Sequence, residues 1–370
     1  MNKAIGILNL HDSNNLGLLN TTRSVASTSF LGRYAFMDFM LSNFSDSGID
    51  EMAVLIKEHT RSIIQHVARG GEWTKNSKLG GLTFLYDEPN ASNTGYSTDI
   101  NNLKENTWFL KQNKGDVVVL APADIIYRID FRPLIEDHVK NNHRISVIVQ
   151  KINNGREAFI QEDIAHVDTN GFLRDLYPNR GEEDKITVSL RTYIIDKEVL
   201  YGLLRYATKT SSFFSLRDTI RKLAKDMPIY TYEHEGYVRC FDSLSHYLEY
   251  SLELLDRNVF NQLFDKDWSL YTKTYDTPPA KYLEHAEVKN SFIANGSIIN
   301  GKVEHSIIGR DVVIDEGVEV KNSVIFSGTH ISHGCKIDGL VCDKDAEIVN
   351  SAEIIGSIKD PQFIKRGDIV

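Results

Sequence analysis

The chain has 370 residues, enough for roughly two domains, and its 41% hydrophobic and 25% charged residues are ordinary globular values. A net charge of −9 with no lysine- or arginine-rich run argues against nucleic acid or an anionic membrane surface as a partner. The opening apolar run is too short for a signal segment, and no stretch approaches the roughly 18 apolar residues of a membrane span, so a cytoplasmic location is expected. Three cysteines, Cys240, Cys335 and Cys342, lack CxxC spacing and predict neither a disulfide framework nor a zinc site.

In chain order, residues 4–8 form a short apolar strand followed by a polar turn. Residues 36–44 and 63–67 carry helical spacing, and 52–56 reads as a strand. Residues 116–120 (DVVVL), bounded by Gly115 and Pro122, suit a strand buried on both faces. Residues 134–139 look helical and 145–150 form another buried strand. This alternation predicts a mostly parallel sheet with helices on both faces, whose ligand crevice lies beyond the carboxyl ends of the strands. The loops after Leu8 and Leu120 are therefore the places to look for a site. Residues 244–264 have helical spacing without proline or glycine, and predict one long helix closing an α/β domain of residues 1–264. A connector spans 265–285.

From residue 286 to 370 the pattern changes. Ile308, Ile314 and Val320 are spaced by six, as are Ile325, Ile331 and Ile337. One inward aliphatic per flat face at that period predicts a left-handed parallel β-helix of hexapeptides. The neighbouring Val324 and Phe326 are expected to point outward, where a second subunit could meet them.

Several segments carry a family likeness. Phe30-Leu31-Gly32-Arg33-Tyr34 leads into Met37-Asp38-Phe39-Met40-Leu41-Ser42-Asn43 and then Ser47-Gly48-Ile49. Gly80-Gly81-Leu82-Thr83, Ala123-Asp124-Ile125-Ile126-Tyr127-Arg128-Ile129-Asp130, Gly236-Tyr237 and Val303-Glu304-His305-Ser306 follow in order. With these segments the chain resembles bacterial ADP-glucose pyrophosphorylase, the glucose-1-phosphate adenylyltransferase of glycogen synthesis. It is similar above all to that family's divergent GlgD-type subunit, which partners a catalytic GlgC-type subunit. The resemblance implies a nucleotidyltransferase-like domain, an oligomer (a tetramer by analogy), small phosphorylated effectors, and Mg²⁺ in the assembled enzyme, with no cofactor assigned to this chain itself.

The departures from the family pattern carry the functional expectation. The family's glycine-rich phosphate loop, L-A-G-G-x-G-x-R-L, here reads Leu8-Asn9-Leu10-His11-Asp12-Ser13-Asn14-Asn15-Leu16. Glycines that let backbone N–H groups approach phosphates are gone, and Asn15 stands at the arginine. Val25 falls at the lysine of A-K-P, and Tyr177 at the sugar-phosphate lysine of E-K-P. Of the aspartate pair that holds Mg²⁺ in the family, Asp124 keeps the first position, a half-site, while Cys240 replaces the second. Mg²⁺ demands oxygen ligands, which a thiol does not supply. Asp242, two residues on, is the alternative carboxylate.

The expected site is thus vestigial, with no catalytic residue assigned, and the expected function is that of a catalytically impaired regulatory subunit. An active nucleotidyltransferase with a rearranged site is the alternative. Arg23 matches a family arginine that binds allosteric anions, and Arg33 and Lys57 are expected to share such an effector pocket.

Overall fold

The computed structural model describes residues 3–68, 70–74, 81–87, 97–349 and 351–370. Gly80 of the family segments lies outside them. The chain divides into two compact units whose bounds differ from the expected 1–264 and 286–370. The first comprises Met1–Ser13, Met37–Cys240 and Trp268–Tyr271, and the second Asn14–Phe36, Phe241–Asp267 and Thr272–Val370.

The first unit is built on a nine-stranded sheet. Its order is Gly81–Leu85, Glu51–Leu55, Ala4–Asn9, Val117–Ala121, Ile186–Asp196, Ile145–Ile152, Ile229–Glu233, Phe172–Pro178 and Asp163–Val167. The first four strands are mutually parallel. Ile186–Asp196 runs against both of its neighbours, and Phe172–Pro178 is also reversed. Val117–Ala121 is buried at every residue, as its bare β-branched run requires.

Alternation along the strands puts Ile5, Ile7, Val118 and Leu120 into one core with Ile100, Leu103, Leu200, Leu204 and Ile220 from helices Asp99–Glu105, Lys197–Thr210 and Leu216–Leu223. On the opposite face, a Cβ at Gly6 would come 2.9 Å from Phe44 of helix Phe36–Asp46, so only glycine admits that helix so closely. Helices therefore cover both faces, as expected.

The second unit holds three five-stranded parallel sheets, the faces of a hexapeptide β-helix. Ile308, Ile314 and Val320 fall on three successive faces, and Ile325, Ile331 and Ile337 repeat them one coil on. All six are buried in one aliphatic core. The first strand of the helix is Lys281–Tyr282, paired with Ile298–Ile299, so the coils begin before residue 286.

Two expectations require correction. Residues 244–264 form two helices, Leu244–Glu253 and Arg257–Leu263, because the Asp256 side chain accepts the Asn258 and Val259 N–H groups and starts a new helix. Val324 and Phe326 are each only 2% exposed. The Phe326 ring lies 6.0 Å from that of Tyr247 and 5.7 Å from the Arg23 guanidinium carbon, so it is covered within its own unit. Segment Asn14–Phe36 belongs with the coils for a local reason. At Gly32, with φ +74°, an added Cβ would meet the Ile308 carbonyl at 2.9 Å.

Candidate functional site

In the first unit, strand Val117–Ala121 delivers Asp124 at its carboxyl end, where the topology predicts a crevice. Immediately after it, Ile125–Tyr127 pairs antiparallel with Val238–Cys240, placing Cys240 opposite Ile125. The sequence-expected pair is thus brought together, and Asp124 and Cys240 are both fully buried. Glu162, at the start of strand Asp163–Val167, joins them. Ligand atoms of Asp124, Glu162 and Cys240 all lie within 4.8 Å of one another.

A residue that sequence reading missed occupies the centre of this group. Arg191 projects from the middle of strand Ile186–Asp196, where the pairing shifts register between Ser189 and Tyr193. Its backbone has φ +49°, a region glycine adopts freely and side-chain-bearing residues rarely do. One terminal nitrogen lies 2.6 Å from Asp124 Oδ2, and Nε lies 2.9 Å from Glu162 Oε2. The other terminal nitrogen donates to the Asp12 backbone carbonyl. Burial works against the guanidinium's charge, but the surrounding carboxylates of Asp124, Glu162 and Asp12 outweigh it and raise its pKa well above the usual value. The signal in the sequence was the one arginine of this strand, between Leu190 and Thr192.

The network extends outward. Ser215 and Asp218 form a reciprocal cap on helix Leu216–Leu223, whose one face carries Arg217 and Arg221. Arg217 Nε donates to Asp163 at 2.8 Å, its terminal nitrogen sits 3.4 Å from Glu162, and Arg221 reaches Asp163 at 2.6 Å. Asp12 lies 3.7 Å from Arg217. Burial raises the Asp12 pKa, and Arg191 and Arg217 oppose that rise. All three guanidiniums are therefore turned inward onto Asp124, Glu162 and Asp163.

The altered phosphate loop consumes its own backbone donors. Asn9 Oδ1 accepts the His11 N–H at 3.1 Å. Further on, Asn20 accepts from Leu16 N at 2.8 Å, and the Asn15 side chain turns back to accept Gly17 N at 2.8 Å. Three N–H groups in and beside the loop, those of His11, Leu16 and Gly17, are thereby satisfied by asparagine oxygens. His11 is buried against Asn102, 3.0 Å away, and burial, with the Lys57 charge second, lowers its pKa to about 4.

The remaining expected residues have their own local surroundings. Val25 is buried in the 3₁₀ turn Val25–Ser27. Tyr177 is exposed and lines a cavity of about 310 Å³ with Arg180, Glu182 and Glu183. Asp242, the alternative carboxylate, belongs to the second unit and pairs with His246 at 2.5 Å.

The three expected effector residues have different surroundings. Arg23 is buried and paired with Asp343 at 2.7 Å, so its charge is spent inside the second unit. Lys57 is an exposed residue of the first unit. Arg33 does line a cavity, of about 290 Å³, in the second unit, together with Arg310, Tyr34, Tyr275, Thr274 and Asn295. Arg310 lies 4.3 Å from the Tyr275 ring and Arg33 5.2 Å from that of Tyr34.

Known proteins match this architecture. Residues 19–159 match the Nucleotidyl transferase family and residues 278–362 the GlmU-like C-terminal hexapeptide family. The glycogen biosynthesis protein GlgD of Bacillus subtilis is 26% identical over 94% of this chain and 91% of its own length. GlgD of Geobacillus stearothermophilus is 30% identical over 80% of this chain and 77% of its own. The glucose-1-phosphate adenylyltransferase of Thermodesulfovibrio yellowstonii is 28% identical over 93% and 89%. Two-unit architecture, matched segments and these relatives together place the chain in the family of bacterial glucose-1-phosphate adenylyltransferases and GlgD proteins.

Proposed function

We propose that this chain acts in glycogen biosynthesis as a regulatory, catalytically impaired subunit of a glucose-1-phosphate adenylyltransferase. Its active partner would make ADP-glucose from ATP and glucose 1-phosphate. The observation that carries this reading is Arg191, whose guanidinium lies 2.6 Å from Asp124, the carboxylate kept from the family's Mg²⁺ pair, and 2.9 Å from Glu162. Nucleotidyl transfer depends on cations stabilising phosphate charge, and here the site's guanidiniums are committed to its own carboxylates. The residues do not fit Mg²⁺, so no step through a metal is derived for this chain.

What remains is coupling to a partner. A regulatory subunit works only if its contacts differ between two states of that partner. A small phosphorylated effector would bias them from the Arg33–Arg310 cavity, whose lining among the described residues contains no carboxylate.

The deciding experiment mixes the purified chain with a catalytic adenylyltransferase subunit and follows pyrophosphate release beside size-exclusion. Silence alone, co-elution, and a changed rate or effector response of the partner are expected. Turnover of the lone chain at an ordinary enzymatic rate, roughly 1–1000 per second, overturns the reading. Separate elution with unchanged partner kinetics does so as well.

A further inference from the structure

We infer that Arg191 is a tethered cation standing in for a divalent metal, so that this chain closes its acidic cluster without one and has lost metal binding by gaining a side chain. Two carboxylates and a backbone carbonyl ring the Arg191 guanidinium: those of Asp124 and Glu162, and the Asp12 carbonyl. Three oxygens from three separate segments are the beginning of a hard-cation shell. Each of the three faces a different nitrogen of the guanidinium. A divalent metal among these oxygens would have to take the guanidinium's place and would meet its like charge.

Strain in the chain points the same way. Arg191 keeps φ +49° inside a register shift, a conformation that costs any residue but glycine and is held here by the surrounding ion pairs. Cys240, with Sγ 3.9 Å from Glu162 Oε1, contributes a thiol and not a third carboxylate, which suits one guanidinium between two acids. The backbone at residue 191 is therefore already shaped for glycine. Removing the side chain empties the space between the carboxylates and leaves a backbone conformation that glycine adopts freely. This inference shares Arg191 with the regulatory reading, but its test is separate, since metal binding is measured with no partner present.

Mn²⁺ is the probe, read by electron paramagnetic resonance and by thermal unfolding of the full chain. The wild type should bind no Mn²⁺ and show no Mn²⁺-dependent Tm. Arg191→Gly should bind one Mn²⁺ per chain, and its Tm should rise by about 3 °C at a hundredfold excess over the dissociation constant. Arg191→Gly/Asp124→Asn should lose both effects, and Arg191→Lys, which keeps a cation in place, should behave as the wild type. If Arg191→Gly folds only in Mn²⁺ and unfolds on chelation, the inference stands. One Mn²⁺ bound by the wild type and lost in Asp124→Asn overturns it. So does a folded Arg191→Gly that ignores millimolar Mn²⁺. Should that variant fail to fold in any condition, the wild type and Arg191→Lys decide, since Mn²⁺ held by either through Asp124 is the overturning result.

Discussion

The guanidinium of Arg191 lies 2.6 Å from the carboxylate of Asp124, with the two side chains 3% and 0% exposed. Both groups are buried, so each charge is compensated by protein groups and not by bulk water. Breaking one half of a buried pair costs more than the pair itself contributes, because it strands the survivor. Arg191→Met should therefore destabilise the chain by about 3–5 kcal/mol in urea unfolding. Adding Asp124→Asn should recover part of that loss. A fully additive double variant would mean that the two side chains do not depend on each other.

Catalytic repair should fail at single positions. Cys240→Asp restores a carboxylate but adds negative charge beside Glu162 and leaves Arg191 in place. The phosphate loop still spends its N–H groups on Asn9, Asn15 and Asn20. Pyrophosphate release by Cys240→Asp should stay at the background of the wild-type chain. Groups that act as a unit do not recover one at a time.

The buried His11 should make the fold sensitive to acid. Its folded pKa, about 4, lies below the 6.5 of an unfolded histidine because burial disfavours the charged ring and Lys57 adds to that. Between those values the unfolded chain binds the extra proton, so this stabilisation is complete above about pH 6.5 and is lost as pH falls toward 4. The loss amounts to roughly 3 kcal/mol. Urea unfolding at a series of pH values should show a shallower acid slope for His11→Gln than for the wild type.

Arg23 and Arg33 should separate in their effects. Arg23→Ala leaves Asp343 buried and uncompensated, and should lower stability by about 3–5 kcal/mol whether or not a ligand is present. Arg33→Ala should leave urea unfolding almost unchanged and weaken binding of a phosphorylated anion, read by calorimetry. The opposite pattern would return the effector role to Arg23.

Local pattern alone determined much of this protein. The six-residue spacing of Ile308, Ile314 and Val320 specifies a β-helix because each inward aliphatic must stack on the next coil, whatever lies elsewhere. The bare run at 117–120 specifies a buried strand in the same way. Loss of the loop glycines and the thiol at 240 were legible because residue identity alone fixes what backbone approach or metal ligation is open to a position. Even the break in the long helix was written locally, in Asp256 as a cap, though the unbroken apolar spacing hid it.

The partners of these residues were decided only by the tertiary fold. Arg191 is 67 positions from Asp124 in sequence, and the register shift that turns it inward exists only once strand Ile186–Asp196 is paired. Arg23 reads as a surface cation until Asp343, 320 positions away, is folded beside it. Val324 and Phe326 read as outward-facing until Tyr247 and Arg23 cover the ring of Phe326. A charge's role depends on what neutralises it, and that neighbour is set by sheet register and coil stacking, which no short stretch of sequence contains.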